Sequence, residues 1–126
     1  METKDLLKLK NWVVAGDVLN SQKYASKIYD KLENDGITVS GVNPYYKGKN
    51  VETEGKRVYL TLSEVPQGIE VIDLCINPKT GFELVQQAKE LNVKYILIQP
   101  GAESTEILEY CKTWDIKAIQ GCALVN

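Results

Sequence analysis

Apolar and polar positions in the first third of the chain predict a strand, a helix and a second strand in succession. The apolar run 12–15 predicts a strand that ends at Gly16, and the polar segment 17–22 predicts a turn. Apolar residues then recur at helical spacing, at Ala25, Ile28, Tyr29 and Leu32. The β-rich run 37–42 predicts the second strand. These elements together have the size of a βαβ module, whose strands are parallel and whose crossover is right-handed.

The rest of the chain continues this alternation. Further strands are predicted at 58–62, 69–76, 94–98 and 116–119, and a short amphipathic helix at 3–9. The polar stretch 45–57 has no strand or helix periodicity and predicts a surface loop, whereas 62–68 predicts a turn or a single helical turn. Two later helices are predicted from inward-facing stripes, Leu84, Val85, Ala88 and Leu91 in the first and Ile107, Leu108, Cys111 and Trp114 in the second.

Strands that alternate with helices at this spacing predict an α/β fold. We expect a single Rossmann-like domain over residues 1–126, with a doubly wound parallel sheet of about five strands in the order 3-2-1-4-5. In such a sheet the first turn and the start of the helix after it lie at the carboxyl edge. Backbone N–H groups and the helix dipole favour an anion there, most often a phosphate. We therefore expect the ligand site at this edge.

Composition limits the classes of function. The chain has 126 residues, 44% hydrophobic and 25% charged, with a net charge of −2, so we expect a soluble cytoplasmic protein that binds neither nucleic acid nor membranes. Three cysteines without CxxC spacing, and no histidine, argue against a zinc site or a histidine-dependent nucleophile. We expect no catalytic residues. Cys75 and Cys111 have apolar neighbours in the sequence and are expected in the core.

The first turn lacks the glycine pattern of a dinucleotide-binding fold. The next glycine after Gly16 is Gly36, so no GxGxxG motif is present. A strand that holds the ribose of NAD usually ends in Asp or Glu, whereas the second strand here ends in Val42, Asn43 and Pro44. Both observations argue against an NAD(P)-binding redox enzyme or sensor, which stays as an alternative.

Several segments occur in an order that resembles a known family. These segments are VVAGD, NSQKYAS, GVNP, GKRVYLTLSEVP, DLCINP, ILIQPG and a late GC dipeptide. The chain resembles, over residues 10–125, the small stand-alone CoA-binding-domain proteins, which are similar to the CoA-binding Rossmann domain of succinyl-CoA synthetase. The resemblance implies that the protein binds coenzyme A or an acyl-CoA. It implies no ligase activity, because the synthetase uses a phosphorylated histidine in another domain.

The resemblance also implies which residues hold the nucleotide. The first turn would hold phosphate, the corner after the second strand and the basic loop beyond it would face the nucleotide, and two later turns would border the pantetheine. The residues concerned are Gly16, Asp17, Asn20, Lys23, Val42, Asn43, Pro44, Lys47, Asn77, Pro78, Gln99 and Gly101. Asn77 is also a candidate cap for the following helix, with Pro78 at its first position.

Several positions depart from the family pattern, three of them in the first turn and the start of the helix after it. Asp17 and Val18 stand where the family has a small residue and then Ser, and Ala25 stands where Ser is expected. A carboxylate beside phosphate is repulsive, on the order of 1 kcal/mol for two unit charges about 4 Å apart in water. These departures favour another alternative, an interaction module that has lost its nucleotide. A homodimer or an unknown protein partner also stays open.

Cys122 follows the last predicted strand by three residues and is therefore expected near the same carboxyl edge. One interpretation is a small buried packing residue. The other is a thiol that approaches the thiol end of CoA and forms a mixed disulfide with it.

Overall fold

A computed structural model of the protein describes residues 1–125, so residue 126, the last of the predicted domain, lies outside the described residues. The helices are α1 (Thr3–Leu6), α2 (Tyr24–Asn34), α3 (Pro78–Glu90) and α4 (Thr105–Thr113). The strands are β1 (Asn11–Gly16), β2 (Thr38–Val42), β3 (Glu52–Thr53), β4 (Lys56–Tyr59), β5 (Val71–Cys75), β6 (Tyr95–Ile98) and β7 (Lys117–Gln120). Short 3₁₀ turns span Leu62–Glu64 and Ala123–Val125.

The strands form one twisted sheet in an α/β fold. Within residues 1–125 it has seven strands in the order β3-β4-β2-β1-β5-β6-β7. All neighbouring strands pair in parallel except β3, which is antiparallel to β4. The predicted α/β class with a mostly parallel sheet is confirmed.

The predicted number and order of strands are wrong. Part of the error lies in the polar stretch 45–57, where β3 and the first residues of β4 form a hairpin around Glu54 and Gly55, whose φ angles are 51° and 79°. A two-residue polar strand carries no apolar alternation, so the pattern predicted only a loop. At the other end, β7 corresponds to the strand predicted at 116–119, and within the described chain it makes six parallel strands where about five were expected.

The sheet separates two apolar clusters. One lies between the sheet and helices α3 and α4, and the other lies under α1 and α2. The predicted inward stripe of α2 is confirmed, because Ala25, Ile28, Tyr29 and Leu32 are all buried. Within residues 1–125, no helix has the length and apolarity that a bilayer span requires.

Three predicted core positions are wrong. Leu91 is 42% exposed and Trp114 is 50% exposed. Each is the C-cap residue that follows the last turn of its helix, so the inward stripe stops before it. Lys89 Nζ lies 4.1 Å from the centre of the Trp114 ring, which gives the exposed indole a cation–π contact. Cys75 is only half-buried, because β5 ends at it, whereas Cys111 is buried as predicted.

Candidate functional site

A cavity of about 990 Å³ lies at the carboxyl edge of the sheet. It opens where β1, β2, β5 and β6 end, which is where doubly wound sheets bind ligands. Its volume is at the upper end of the usual range for small-molecule sites. The cavity is lined by Asp17, Lys23, Tyr24, Ala25, Asn43, Tyr45, Tyr46, Lys47, Cys75, Ile76, Asn77, Gln99, Pro100, Gly101, Ala102, Cys122, Leu124 and Val125.

The turn between β1 and α2 is fixed by close packing and by its own hydrogen bonds. A Cβ atom at Gly16 would clash with the Cys75 carbonyl oxygen and would lie 3.0 Å from the Ala25 Cβ, so only glycine fits. The N–H of Lys23 donates to the Asn20 carbonyl oxygen at 2.9 Å, and the N–H of Gln22 donates to Asn20 Oδ1 at 3.0 Å. Asn20 therefore holds the turn and does not line the cavity.

Helix α2 starts at the cavity without a side-chain cap. Its N-cap residue is Lys23, which is extended at φ −97° and ψ 149° and whose side chain makes no capping hydrogen bond. The first turn of the helix carries no acidic residue. The first N–H groups of a helix need partners outside it, and the helix dipole is positive at this end. With Lys23 and Ala25 in the cavity wall, this end of the site favours an anion.

Lys56 stabilises the turn between β1 and α2. Its Nζ donates to the Val18 carbonyl oxygen at 2.7 Å and to Ser26 Oγ at 2.8 Å, and it lies 3.3 Å from Asp30 Oδ1. The Lys56 side chain is only 13% exposed. Val18 is itself buried against Gly41 and does not line the cavity. The sequence pattern missed Lys56 because it placed the residue in a loop.

The starts of α3 and α4 are capped by their own side chains. Asn77 Oδ1 accepts a hydrogen bond from the Thr80 N–H at 3.0 Å, with Pro78 in the first turn, as predicted. Ser104 Oγ accepts from the Ile107 N–H at 3.2 Å. These helix starts therefore have partners within the chain.

The loop after β2 forms an aromatic wall. Asn43 Oδ1 accepts from the Tyr45 N–H at 3.0 Å, which turns the chain toward the cavity. Tyr45 Oη hydrogen-bonds with Thr80 Oγ1 and accepts from Asn77 Nδ2 at 3.5 Å. Hydrogen bonds from Thr80 and then from Asn77 lower the pKa of Tyr45 below its ordinary value. The loop is thus tied to the start of α3, while the Tyr45 ring stays exposed.

A buried carboxyl group lies below the cavity. Asp73 is fully buried in β5, and its Oδ2 accepts a hydrogen bond from Gln99 Nε2 at 3.1 Å. Its Oδ1 has no hydrogen-bond partner among residues 1–125. Burial raises the pKa of Asp73 to about 7, although the Gln99 hydrogen bond lowers it. Gln99 thus links the cavity wall to a carboxyl group in the sheet.

The structure places the predicted site residues in two groups. Seven line the cavity: Asp17, Lys23, Asn43, Lys47, Asn77, Gln99 and Gly101. Five do not: Gly16, Asn20, Val42, Pro44 and Pro78. Val42 is buried at the end of β2, and Pro44 is an exposed turn residue. The other three shape the turn after β1 or the start of α3. A binding role for any of the twelve stays a prediction.

Sequence reasoning did not assign several residues of the cavity wall. Cys75, Ile76, Pro100 and Ala102 follow or end strands, which is a signal that could have identified them. Tyr24 and the terminal Leu124 and Val125 were not identified, because side-chain direction at a helix start or chain end cannot be derived from a pattern.

Solved structures of other proteins have a similar fold. A conserved hypothetical protein from Pyrococcus furiosus is 30% identical, with a TM-score of 0.80, over 92% of this chain and 97% of that chain. A hypothetical protein from Pyrococcus horikoshii OT3 is 24% identical, with a TM-score of 0.86, over 97% of this chain and 84% of that chain. No curated protein sequence matches this chain.

A larger protein shares the fold. A dinucleotide-forming acetyl-coenzyme A synthetase 1 from Ca. Korarchaeum cryptofilum, in complex with phosphate and ADP, is 20% identical with a TM-score of 0.72. The similarity covers 94% of this chain and 27% of that one. The family model described as "CoA binding domain" matches residues 10–126, which is nearly the whole chain. The chain therefore belongs to the CoA binding domain family.

Proposed function

We propose that this protein binds coenzyme A or an acyl-CoA in the cavity at the carboxyl edge of the sheet. One observation carries the proposal: the same cavity is lined by the uncapped start of α2 and by a group of apolar side chains. Membership of the CoA binding domain family supports the same ligand. The module binds its ligand without catalysing a reaction at the acyl group.

The phosphates bind at the start of α2. CoA carries a diphosphate and a ribose phosphate, and the cavity offers the N–H groups of the first helical turn together with Lys23 and Lys47. Charge-assisted hydrogen bonds from such groups are about twice as strong as neutral ones. The chain is net acidic, so the attraction is local and falls as salt rises.

The adenine stacks on the aromatic wall. Tyr24 is 65% exposed and Tyr45 is 59% exposed, although both are large apolar side chains. Tyr46 lines the same cavity, and its hydroxyl donates to the Asn50 carbonyl oxygen at 2.8 Å, which fixes the ring. Base stacking on an aromatic ring contributes about 1 to 3 kcal/mol. In the bound state the adenine covers these exposed rings.

The pantetheine arm lies along the apolar part of the cavity wall. That wall contains Ile76, Pro100 and Ala102 from the turns after β5 and β6, and Leu124 from the last 3₁₀ turn. A mostly apolar wall with a few polar groups, such as the Gln99 amide, suits a chain of methylenes and amides.

NAD fits this cavity less well. A dinucleotide site needs an acidic residue at the end of the second strand, and Asn43 there uses its Oδ1 for the Tyr45 N–H. Among the described residues that line the cavity, Asp17 is the one carboxylate, and it follows the first strand. Asp17 sits where it would repel a phosphate, not where it would hold a ribose.

Isothermal titration calorimetry with CoA, acetyl-CoA and NAD tests the proposal. We expect CoA to bind at least about tenfold more tightly than NAD, which corresponds to about 1.4 kcal/mol. Raising salt should weaken CoA binding, because phosphate contacts are ionic. NAD binding that equals or exceeds CoA binding would identify a dinucleotide site. Absence of binding by all three ligands would instead favour an interaction module.

A further inference from the structure

Two cysteines lie in the cavity wall, close in sequence to Ile76 and Leu124 of its apolar part. Cys75 is the last residue of β5, and Cys122 is the second residue after β7. Both line the cavity and both are half-buried. The third cysteine, Cys111, is buried in α4 within the cluster on the other face of the sheet. The cavity thus contains a dithiol, and the chain contains a cysteine outside it for comparison.

The backbone brings the two cysteines to the same side of the sheet. The Gln99 N–H donates to the Leu74 carbonyl oxygen at 3.1 Å, and the Gly121 N–H donates to the Ile98 carbonyl oxygen at 3.0 Å. These bonds extend the hydrogen-bond ladders one residue past the ends of β6 and β7. Cys122 therefore directly follows the last paired residue, at the carboxyl edge of the sheet.

The last 3₁₀ turn then folds toward α2. Ala123 is buried in the cluster that contains Ala25, and Cys75 packs against that same cluster. Cys122, which directly precedes Ala123, is therefore carried toward Cys75 over the end of β6.

The surroundings of Cys75 make its thiol a poor first nucleophile. Burial, followed by the charges of Asp73 and Cys122, raises the pKa of the Cys75 thiol to about 12. The effect of Cys122 on Cys75 agrees with two sulfurs that lie close together. A thiolate is the nucleophile in disulfide exchange, so Cys75 seldom attacks first at neutral pH. The first attack is therefore left to Cys122, and Cys75 suits a later attack on a disulfide that is already held beside it.

We propose that Cys75 and Cys122 form a redox-active dithiol that reduces a disulfide of CoA bound in the cavity. This inference rests on the proposed CoA site. In the first step the Cys122 thiolate attacks one sulfur of CoA disulfide, the S–S bond breaks, and one CoA leaves as a thiolate that takes up a proton. In the second step the Cys75 thiolate attacks the Cys122 sulfur and releases the second CoA.

The reaction balances without another reagent. One CoA disulfide is reduced to two CoA thiols, and the two protein thiols are oxidised to one Cys75–Cys122 disulfide. The two protons lost by the protein thiols are those gained by the CoA thiolates. The bound CoA moiety places the reacting sulfurs together, so the exchange gains from a high effective concentration.

The test incubates the reduced protein with CoA disulfide and follows intact mass and released CoA thiol. We expect loss of the mass of two hydrogens and release of two CoA thiols per chain. The Cys75→Ser variant should stop at a mixed disulfide between CoA and Cys122. The Cys122→Ser variant should react at least about tenfold more slowly, because the remaining cavity thiol is rarely ionised. Cys111→Ser should react like the unaltered chain.

Glutathione disulfide serves as the reagent without the nucleotide, and it should react at least about tenfold more slowly than CoA disulfide. Calorimetry with CoA on the unaltered chain, kept reduced by an added reductant, measures binding apart from thiol exchange. If the reduced chain binds CoA but forms no internal disulfide with CoA disulfide, or keeps a mixed disulfide, the dithiol proposal is overturned and the binding proposal stands. If CoA does not bind, the proposed function itself fails.

Discussion

The turn after β1 and the turn after β5 both lead into helices at the carboxyl edge, but their helix starts differ. Helix α3 is capped by Asn77, has Pro78 in its first turn, and is tied to Tyr45 through Thr80. Helix α2 begins at Lys23 with no side-chain cap. A lysine at an N-cap meets the positive end of the helix dipole, which costs stability by about 0.3 to 1 kcal/mol. The first turn is thus open and the second is closed.

This difference separates binding from stability. At the closed turn the polar groups satisfy each other, so changes there should alter mainly the free energy of unfolding. At the open turn, the first N–H groups of the helix and the Lys23 ammonium have no hydrogen-bond or ion-pair partner among residues 1–125, so water or a ligand must supply one. Changes there should alter mainly CoA affinity. The predictions below use this separation.

The largest expected effect concerns Asp73, in the strand that leads to the closed turn. Its pKa is raised from 3.8 to about 7, so the native state keeps this proton while the unfolded chain loses it. The retained proton therefore stabilises the native state fully below about pH 4. This contribution to the free energy of unfolding is lost as pH rises to about 7, at about 1.4 kcal/mol per pH unit. Relative to the unaltered chain, Asp73→Asn should therefore gain roughly 4 kcal/mol between pH 4 and pH 8.

Urea unfolding of both proteins at several pH values measures this gain. CoA affinity should change little in the Asp73→Asn variant, because Asp73 does not line the cavity. A difference in unfolding free energy that stays constant with pH would show that Asp73 is ionised in the native protein.

The second prediction exchanges the open helix start for a closed one. Lys23→Asp supplies an N-cap side chain and reverses the unfavourable charge, so the ligand-free protein should become more stable by about 1 kcal/mol. The same change should weaken CoA binding by about 1 to 3 kcal/mol, because a phosphate contact is lost and repulsion replaces it. Thermal unfolding and calorimetry measure the two opposite effects.

Two variants serve as controls for Lys23→Asp. Lys94→Asp makes the same charge change at an exposed position before β6, at the opposite edge of the sheet, and should leave CoA affinity unchanged. Ser104→Ala removes the cap of α4 and should cost about 1 kcal/mol of stability without an effect on CoA. If the Lys23→Asp variant binds CoA with the affinity of the unaltered chain, Lys23 does not contact the phosphates and is only a surface charge.

The smallest expected effect concerns Asp17, which also lies at the open turn. Asp17→Ala removes the one carboxylate among the described residues that line the cavity, so CoA should bind more tightly by up to about 1 kcal/mol. Val18 is left unchanged because it is buried against Gly41, and a polar residue there would weaken the core. Unchanged or weaker CoA binding would mean that phosphate does not approach this turn.

The elements with long apolar periods were predictable from the sequence. The strand, helix and strand from β1 to β2 follow directly from residue spacing, and Asn77 with Pro78 identified the start of α3. The β3–β4 hairpin was not predictable, because Glu52–Thr53 is polar and only two residues long. The exposed Leu91 and Trp114 show that a helical stripe does not indicate where the helix stops.

The candidate site was predictable in position but not in detail. Strand ends identified the edge of the sheet, and the family resemblance implied seven of the residues that line the cavity. The long-range contacts of Lys56 and the approach of Cys122 to the end of β5 depend on how loops fold back, which local patterns do not encode. For the same reason, the sequence does not show that the Val18 side chain packs in the core and does not line the cavity.

The central claim is that the open start of α2, not the capped start of α3 or α4, receives the phosphates of CoA. Amide chemical shifts in an ¹⁵N-labelled sample titrated with CoA test it most directly. The account predicts that the amides of Tyr24, Ala25 and Ser26 shift most among helix starts, while those of Thr80 and Ile107 change little. Saturable CoA binding with the largest helix-start shifts at Thr80 or Ile107, and unshifted amides at the start of α2, would contradict it.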